Sequence, residues 1–156
     1  MHTWMKRLAA ARTHNAKPPI TGEQCVRLAS DMDIVAARQL ARALAEQIGF
    51  SAGDATVVAT AVSELARNIV DYAPPGEMVV RSIENGNRVG LVLVARDNGP
   101  GIKDIARAMR DGFSTSGRLG LGLPGVRRLM DEFEIVSEPG KGTCVTVKKW
   151  ITRRGR

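Results

Sequence analysis

The hydrophobic positions of this chain recur with two periods, and the changes of period mark the predicted elements. A spacing of three to four residues predicts a helix from Asp31 or Asp33 to Ile48, and a second helix that starts within 51–54 and ends at 72–76. Their apolar stripes are formed by Ile34, Ala37, Leu40, Ala41, Leu44 and Ile48, and by Val57, Val58, Ala61, Val62, Leu65 and Ile69.

Shorter patterns predict five strands and two more helices. We expect a strand over 23–28, a hairpin of 78–83 and 88–96, and a closing hairpin of 134–137 and 143–150. The run 89–95 is almost entirely apolar, which is typical of a central strand. A helix is predicted from Pro124 to Phe133, and a short one from Asp104 through Arg110. Together these elements predict an α+β fold, a two-layer sandwich with a mixed, largely antiparallel sheet and helices on one face.

The net charge of +7 is concentrated at the two ends of the chain. Residues 1–20 carry four basic side chains and 148–156 carry five, with no acidic one in either segment. The 23 basic residues minus these nine leave 14 against 16 acidic, so the body is nearly neutral. We therefore predict one domain over 22–150, a basic and flexible extension over 1–21, and a basic tail over 151–156. A nucleic-acid partner is not expected, because it would need a basic stripe on a folded face.

The cysteines and the hydropathy of the chain further limit the classes of protein to which it could belong. Cys25 and Cys144 are isolated, and we expect both to be small buried residues in strands rather than disulfide or metal ligands. No apolar run reaches the ~20 residues of a membrane span, so none is expected. The segment from Trp4 to Arg12 lacks the apolar stretch of a secretory signal, which predicts a cytoplasmic protein. Its Trp4, Leu8 and Ala11 have helical spacing, and a helix that lies on a surface is the alternative to a frayed extension.

Seven of the chain's sixteen glycines lie between Asp97 and Gly125, after an apolar strand and before a helix. Amides freed by glycine at a helix N-terminus form an anion site, usually for phosphate, although a flexible surface loop is the alternative.

On the second helix, Glu64 and Asn68 are four residues apart and share a face, either as a functional pair or as solvated polar residues. Four motifs thus follow in order: Glu64-x-x-x-Asn68, Asp97-x-Gly99-x-Gly101, Gly120-x-Gly122 and Gly140-x-Gly142-Thr143.

This order resembles the Bergerat ATP-binding fold of the GHKL superfamily, which includes DNA gyrase, histidine kinases and mismatch-repair ATPases. The narrower resemblance is to the RsbT-type switch kinases of the bacterial stressosome and to anti-sigma kinases. It rests on the segments Ile34–Leu40, Ser63–Asn68, Asp111–Ser116 and Gly122–Val126.

The resemblance implies a role for each motif. Asp97 would accept a hydrogen bond from the adenine amino group, Gly99 and Gly101 would let the backbone approach the base and sugar, and Thr143 would lie near the adenine. Asn68 would give an oxygen to Mg²⁺, and Glu64 would be the general base. Phosphates would bind the amides of Gly120, Leu121 and Gly122 and the hydroxyls of Ser114, Thr115 and Ser116. These three hydroxyls belong to a mobile lid over 112–119, in which Arg118 either reaches a phosphate or is solvated.

The implied function is ATP- and Mg²⁺-dependent phosphorylation of serine or threonine in a STAS-domain antagonist, with release of the kinase to activate a PP2C-type phosphatase. The alternative is an ATP-gated binding module or anti-sigma factor that sequesters a sigma factor without turnover. The chain lacks the sequence motifs of eukaryotic-type kinases. Both histidines, His2 and His14, lie in the extension, so an intact histidine kinase is not expected.

Overall fold

The computed structural model describes residues 22–110 and 122–151. These residues form a five-stranded sheet and four helices, with the sheet as one layer and the helices as the other. In chain order the elements are β1 (Gln24–Leu28), α1 (Asp31–Ile48), α2 (Ala52–Tyr72), β2 (Gly76–Asn85), β3 (Arg88–Asp97), α3 (Ile105–Ala108), α4 (Gly122–Leu129), β4 (Glu132–Glu138) and β5 (Gly142–Trp150).

Local signals in the sequence set the ends of the long helices. The Asp33 carboxylate accepts the N–H groups of Ala29 and Ser30 at 2.8 and 3.0 Å, which holds the chain in place for the first turn of α1. These hydrogen bonds hold the pKa of Asp33 below its ordinary value. Gly49 ends α1 in the left-handed conformation that glycine adopts readily. Ser51 caps α2 by accepting the N–H of Asp54 at 3.1 Å.

The sheet has the strand order β1-β2-β3-β5-β4, and all four pairings among the described strands are antiparallel. The central position predicted for the apolar strand is therefore confirmed, as β3. In this order β5 lies between β3 and β4. Asp97, the last residue of β3, therefore pairs with Gly76 of β2 on one side and with Thr143 of β5 on the other.

One face of the sheet forms the core with α1 and α2. Its side chains alternate with those of the opposite face, as the period of two in a strand requires. The largest fully buried side chains of this core are Leu28, Val58, Val62, Leu65, Met78, Val80, Leu91, Leu93, Val126 and Val147. The predicted two-layer sandwich is confirmed, with both long helices on this face. Among the described residues, no helix is both long and apolar enough to cross a membrane.

Two predictions about local structure were wrong. The helix predicted to reach Phe133 ends at Leu129, and Phe133 belongs to β4, opposite Val147. Its side chain packs on the core from a strand, so its apolar character fitted either element. Cys25 is exposed rather than buried, because it lies on β1, an edge strand of the sheet, and on the face that points away from the helices. Cys144 is half-buried, and neither cysteine is in a disulfide.

Candidate functional site

The residues predicted for the adenine end of the site, Asp97, Gly99, Gly101 and Thr143, lie together at one end of the sheet. Asp97 ends the central strand there, and the C-terminal end of α2 and the turn between β4 and β5 lie beside it. The contacts with the glycines show how closely these pieces approach. A Cβ atom added to Gly99 would lie 2.4 Å from the Cβ of Ala73, which caps α2. A Cβ added to Gly142 would lie 2.1 Å from the carbonyl oxygen of Asp97.

One of the two carboxylate oxygens of Asp97 already accepts a hydrogen bond from the protein. Oδ1 accepts the N–H of Gly99 at 2.9 Å, which folds the chain back after the strand. Oδ2 has no hydrogen-bond partner within the described part of the chain, and the residue is half-buried. A carboxylate oxygen held in this way suits a ligand that offers an N–H group.

Two glycines hold the surrounding turns together. Gly101 and Gly142 have φ angles of +75° and +91°, a conformation that other residues adopt at a cost. A Cβ at position 101 would also lie 2.2 Å from the carbonyl oxygen of Glu138. In this structure, therefore, these two glycines allow two loops of the protein to pack closely against each other. This packing joins the segment after β3 to the β4–β5 turn.

Ser137 was missed by the sequence reasoning, and it connects the same turns. Its Oγ accepts the N–H of Ile102 at 2.8 Å and donates to the carbonyl oxygen of Gly142 at 3.1 Å. It also lies 2.8 Å from Oγ1 of Thr143, its pairing partner across the hairpin. Thr143 is thus held beside Asp97 by both strand register and side chain. The register of the closing hairpin, placed around its Pro-Gly-Lys-Gly turn, is the signal that could have found Ser137.

Glu64 and Asn68 lie one turn apart on α2, and both are half-buried. The N–H of Gly122, the first residue of α4, donates to Oε2 of Glu64 at 3.3 Å. This contact joins residues 58 positions apart and puts the N-terminus of α4 against the predicted base. Asn68 lies further along α2, toward Ala73 and the Asp97 turn. Among the described residues its carboxamide has no hydrogen-bond partner.

A metal site here would depend on ligands from outside the protein. In the described ranges no three His, Cys, Asp or Glu side chains cluster in a way that could hold an ion. Mg²⁺ commonly keeps several waters and uses one or two protein oxygens together with substrate phosphates. Asn68 fits the part of the single protein oxygen in such a site. The remaining predicted ligands, Ser114, Thr115, Ser116, Gly120 and Leu121, lie outside the described residues, as do the predicted lid and Arg118.

Comparison with known proteins identifies the class of domain to which this fold belongs. Residues 28–149 match the model of the histidine kinase-like ATPase domain. The chain belongs to this family. It is 50% identical to the serine/threonine-protein kinase RsbT of Bacillus subtilis over 129 residues, which cover 83% of this chain and 97% of RsbT. The predictions of an RsbT-type chain and of a protein-serine/threonine kinase are thereby confirmed.

More distant relatives and solved structures agree. An anti-sigma F factor of Thermoanaerobacter is 33% identical over 121 residues, which cover 74% of this chain and 83% of that protein. The RsbU and RsbW domains of Rv1364c from Mycobacterium tuberculosis superpose with a TM-score of 0.58 at 21% identity, over 90% of this chain and 35% of that one. The mycobacterial sensor histidine kinase MprB superposes with a TM-score of 0.50 at 20% identity, over 83% of this chain and 97% of that one. These structural likenesses confirm the fold.

Proposed function

We propose that this protein transfers the γ-phosphoryl group of ATP to a serine or threonine of a STAS-domain antagonist in a bacterial partner-switching pathway. Membership of the ATPase family and the identity with RsbT support the kinase activity. The STAS target and the downstream PP2C-type phosphatase rest on the resemblance to switch kinases, whereas the cytoplasmic setting is predicted from the sequence. The observation that carries the mechanism is the contact between Glu64 and the first amide of α4.

That contact supports the role proposed for Glu64, because it brings the Glu64 carboxylate to the N-terminus of α4, where we expect phosphates to bind. An amide at a helix N-terminus is a favourable site for phosphate oxygens. In the proposed reaction Glu64 accepts the proton of the incoming hydroxyl while the α4 amides hold the phosphates. Glu64 would therefore release Gly122 when the nucleotide binds, and would then be near the γ-phosphate.

Asp97 and Asn68 divide the binding of the nucleotide between them. The free Oδ2 of Asp97 would accept the adenine amino group at the far end of the site, with Thr143 beside it. Asn68 would contribute an oxygen to Mg²⁺, which supplies charge neutralisation on the phosphates when bound. The described residues contain no cluster of His, Cys, Asp or Glu that could hold a metal ion. This fits the arrangement, because the phosphates would be the main ligands of the ion.

The test is incubation of the purified protein with ATP labelled at the γ-phosphate, Mg²⁺ and the STAS-domain proteins of its own cell. We expect the label on a serine or threonine of one of them, and we expect Asn68→Ala to remove it. A label that stays on the nucleotide with every STAS protein, although ATP binds, would contradict the proposal.

A second function has an observation in its favour. The similarity to anti-sigma F factors supports an ATP-gated module that binds a sigma factor without turnover. Glu64 favours the kinase, because binding alone has no need of a general base. If Glu64→Gln captured a partner as well as the unchanged protein and neither phosphorylated it, the binding module would be the better description.

A further inference from the structure

A row of four residues crosses one end of the sheet, on the face that the helices cover. Strand register places them side by side on β2, β3, β5 and β4, in the order Gly76, Asp97, Thr143 and Ser137. They share this face with the buried Ala95 and Val145, which lie two positions along β3 and β5. Directly opposite residues of an antiparallel pair have Cβ atoms about 4.5–5.5 Å apart. The side chain of Thr143 therefore lies between the carboxylate of Asp97 and the hydroxyl of Ser137.

The hydroxyl of Ser137 has three contacts, and together they use its whole hydrogen-bonding capacity. A serine hydroxyl has one proton to donate and two lone pairs that accept. Its Oγ accepts the N–H of Ile102 at 2.8 Å and donates to the carbonyl oxygen of Gly142 at 3.1 Å. Because a carbonyl oxygen can only accept, the proton of Ser137 belongs to this second contact. In the third, 2.8 Å to Oγ1 of Thr143, the donor must then be Thr143.

This assignment fixes what Thr143 can offer to a ligand. Its one hydroxyl proton points to Ser137, and within the described ranges the hydroxyl makes no other hydrogen bond. Only lone pairs of Oγ1 remain, so toward anything that binds beside it the hydroxyl is an acceptor. Oδ2 of Asp97, across the strand pair, is an acceptor as well. The two side chains together present acceptors and no donor.

We propose that Ser137 is a positioning residue that sets the base specificity of the nucleotide site, because it holds the hydroxyl of Thr143 as an acceptor. The proposal rests on the proposed function, in which the base lies beside Asp97 and Thr143. The amino group of adenine carries two N–H donors, which suit such a pair. Hypoxanthine and guanine carry a carbonyl oxygen at the same position, which would face two acceptors and gain no hydrogen bond. Without Ser137 the hydroxyl of Thr143 is free to turn and donate to that oxygen.

The test compares the affinities for ATP and for inosine triphosphate, each with Mg²⁺, by calorimetric titration. The base of inosine triphosphate has the carbonyl oxygen in place of the amino group. We expect the unchanged protein to bind ATP at least ~100-fold more tightly. Ser137→Ala should lower this ratio about 5-fold or more, because Thr143 can then donate. Ser63→Ala is the matched control and should keep the ratio, since Ser63 also donates to a backbone carbonyl, that of Ala59 at 3.0 Å, but within α2.

Two further variants separate this role of Ser137 from its support of the turns. Ser137→Cys fills the same space with a thiol that donates and accepts only weakly, so it should lower the ratio even if Ser137→Ala does not fold. Thr143→Val removes the hydroxyl on which Ser137 acts. Adding Ser137→Ala to Thr143→Val should therefore change the ratio no further.

Failure of this inference and failure of the proposed function give different results. Binding of neither nucleotide by the unchanged protein would contradict the proposed function itself. If the unchanged protein preferred ATP, but Ser137→Ala and Ser137→Cys weakened both nucleotides by the same factor, Ser137 would only support the turns and this inference alone would fall. Equal affinity of the unchanged protein for both nucleotides, or a ratio that falls as much in Ser63→Ala, would also overturn it.

Discussion

Replacing Asp97 by Asn tests the centre of the proposed nucleotide site with little change of shape. An asparagine oxygen can still accept the N–H of Gly99, so the turn after β3 should survive. The other atom of the side chain changes from a charged acceptor to a donor. It would then face the adenine amino group, which is itself a donor.

The expected loss follows from that exchange. A hydrogen bond to a charged acceptor contributes about 1.5–3 kcal/mol. At about 1.4 kcal/mol for each factor of ten, ATP should bind about 10- to 150-fold more weakly. The thermal midpoint without nucleotide should move little, because no buried apolar contact is removed.

Calorimetric titration with ATP and Mg²⁺ measures the affinity, and a thermal melt without nucleotide checks the fold. Asp104→Asn is the matched control. Its Oδ1 also accepts a backbone N–H, that of Arg107 at 2.9 Å, but it lies exposed at the start of α3. If Asp97→Asn bound ATP as tightly as the unchanged protein, or if Asp104→Asn weakened binding equally, Oδ2 of Asp97 would not be the acceptor of the adenine amino group.

Substitutions of Glu64, Gly142 and Glu77 test three other contacts of the structure. Glu64→Gln should slow phosphorylation of the antagonist about 10²-fold or somewhat more, because glutamine cannot take the proton of the incoming hydroxyl. The affinity for ATP·Mg²⁺, measured by calorimetry, should stay nearly constant, because glutamine keeps the size and shape of the side chain. An unchanged rate of phosphorylation would remove Glu64 from catalysis. Gly142→Ala should lower the free energy of unfolding, measured in urea, by about 2 kcal/mol or more, because the added Cβ would clash with the backbone of Asp97. Gly140→Ala is the control: open space surrounds this position, and the free energy of unfolding should fall by only about 1 kcal/mol. The thiol of Cys25 donates a hydrogen bond to Glu77 at 3.0 Å, which raises the pKa of the thiol above the ordinary value of 9.0. In Glu77→Gln, alkylation of Cys25 should therefore occur at lower pH. An unchanged pH dependence would show that the carboxylate does not hold the thiol.

The sequence alone was enough to predict the helices and most strands, because their patterns are local. The stripe from Ile34 to Ile48 and the apolar run of β3 each identify an element without any knowledge of its neighbours. The motif order likewise predicted the family, and it placed Asp97 and Thr143 in one site through the resemblance. Where a residue satisfied two patterns, as Phe133 did, the boundary was wrong. An apolar side chain fits the core equally well from a helix or a strand.

The contacts between distant segments were decided only by the tertiary structure. Asp97 lies beside Thr143 because β5 is inserted between β3 and β4, and nothing local to either strand specifies that order. The hydrogen bond from Gly122 to Glu64 likewise depends on how α4 packs against α2. The exposure of Cys25 depends on which face of the sheet the helices cover. Strand order, helix packing and the covered face are set by burying all the apolar surfaces at once, so no single segment determines them.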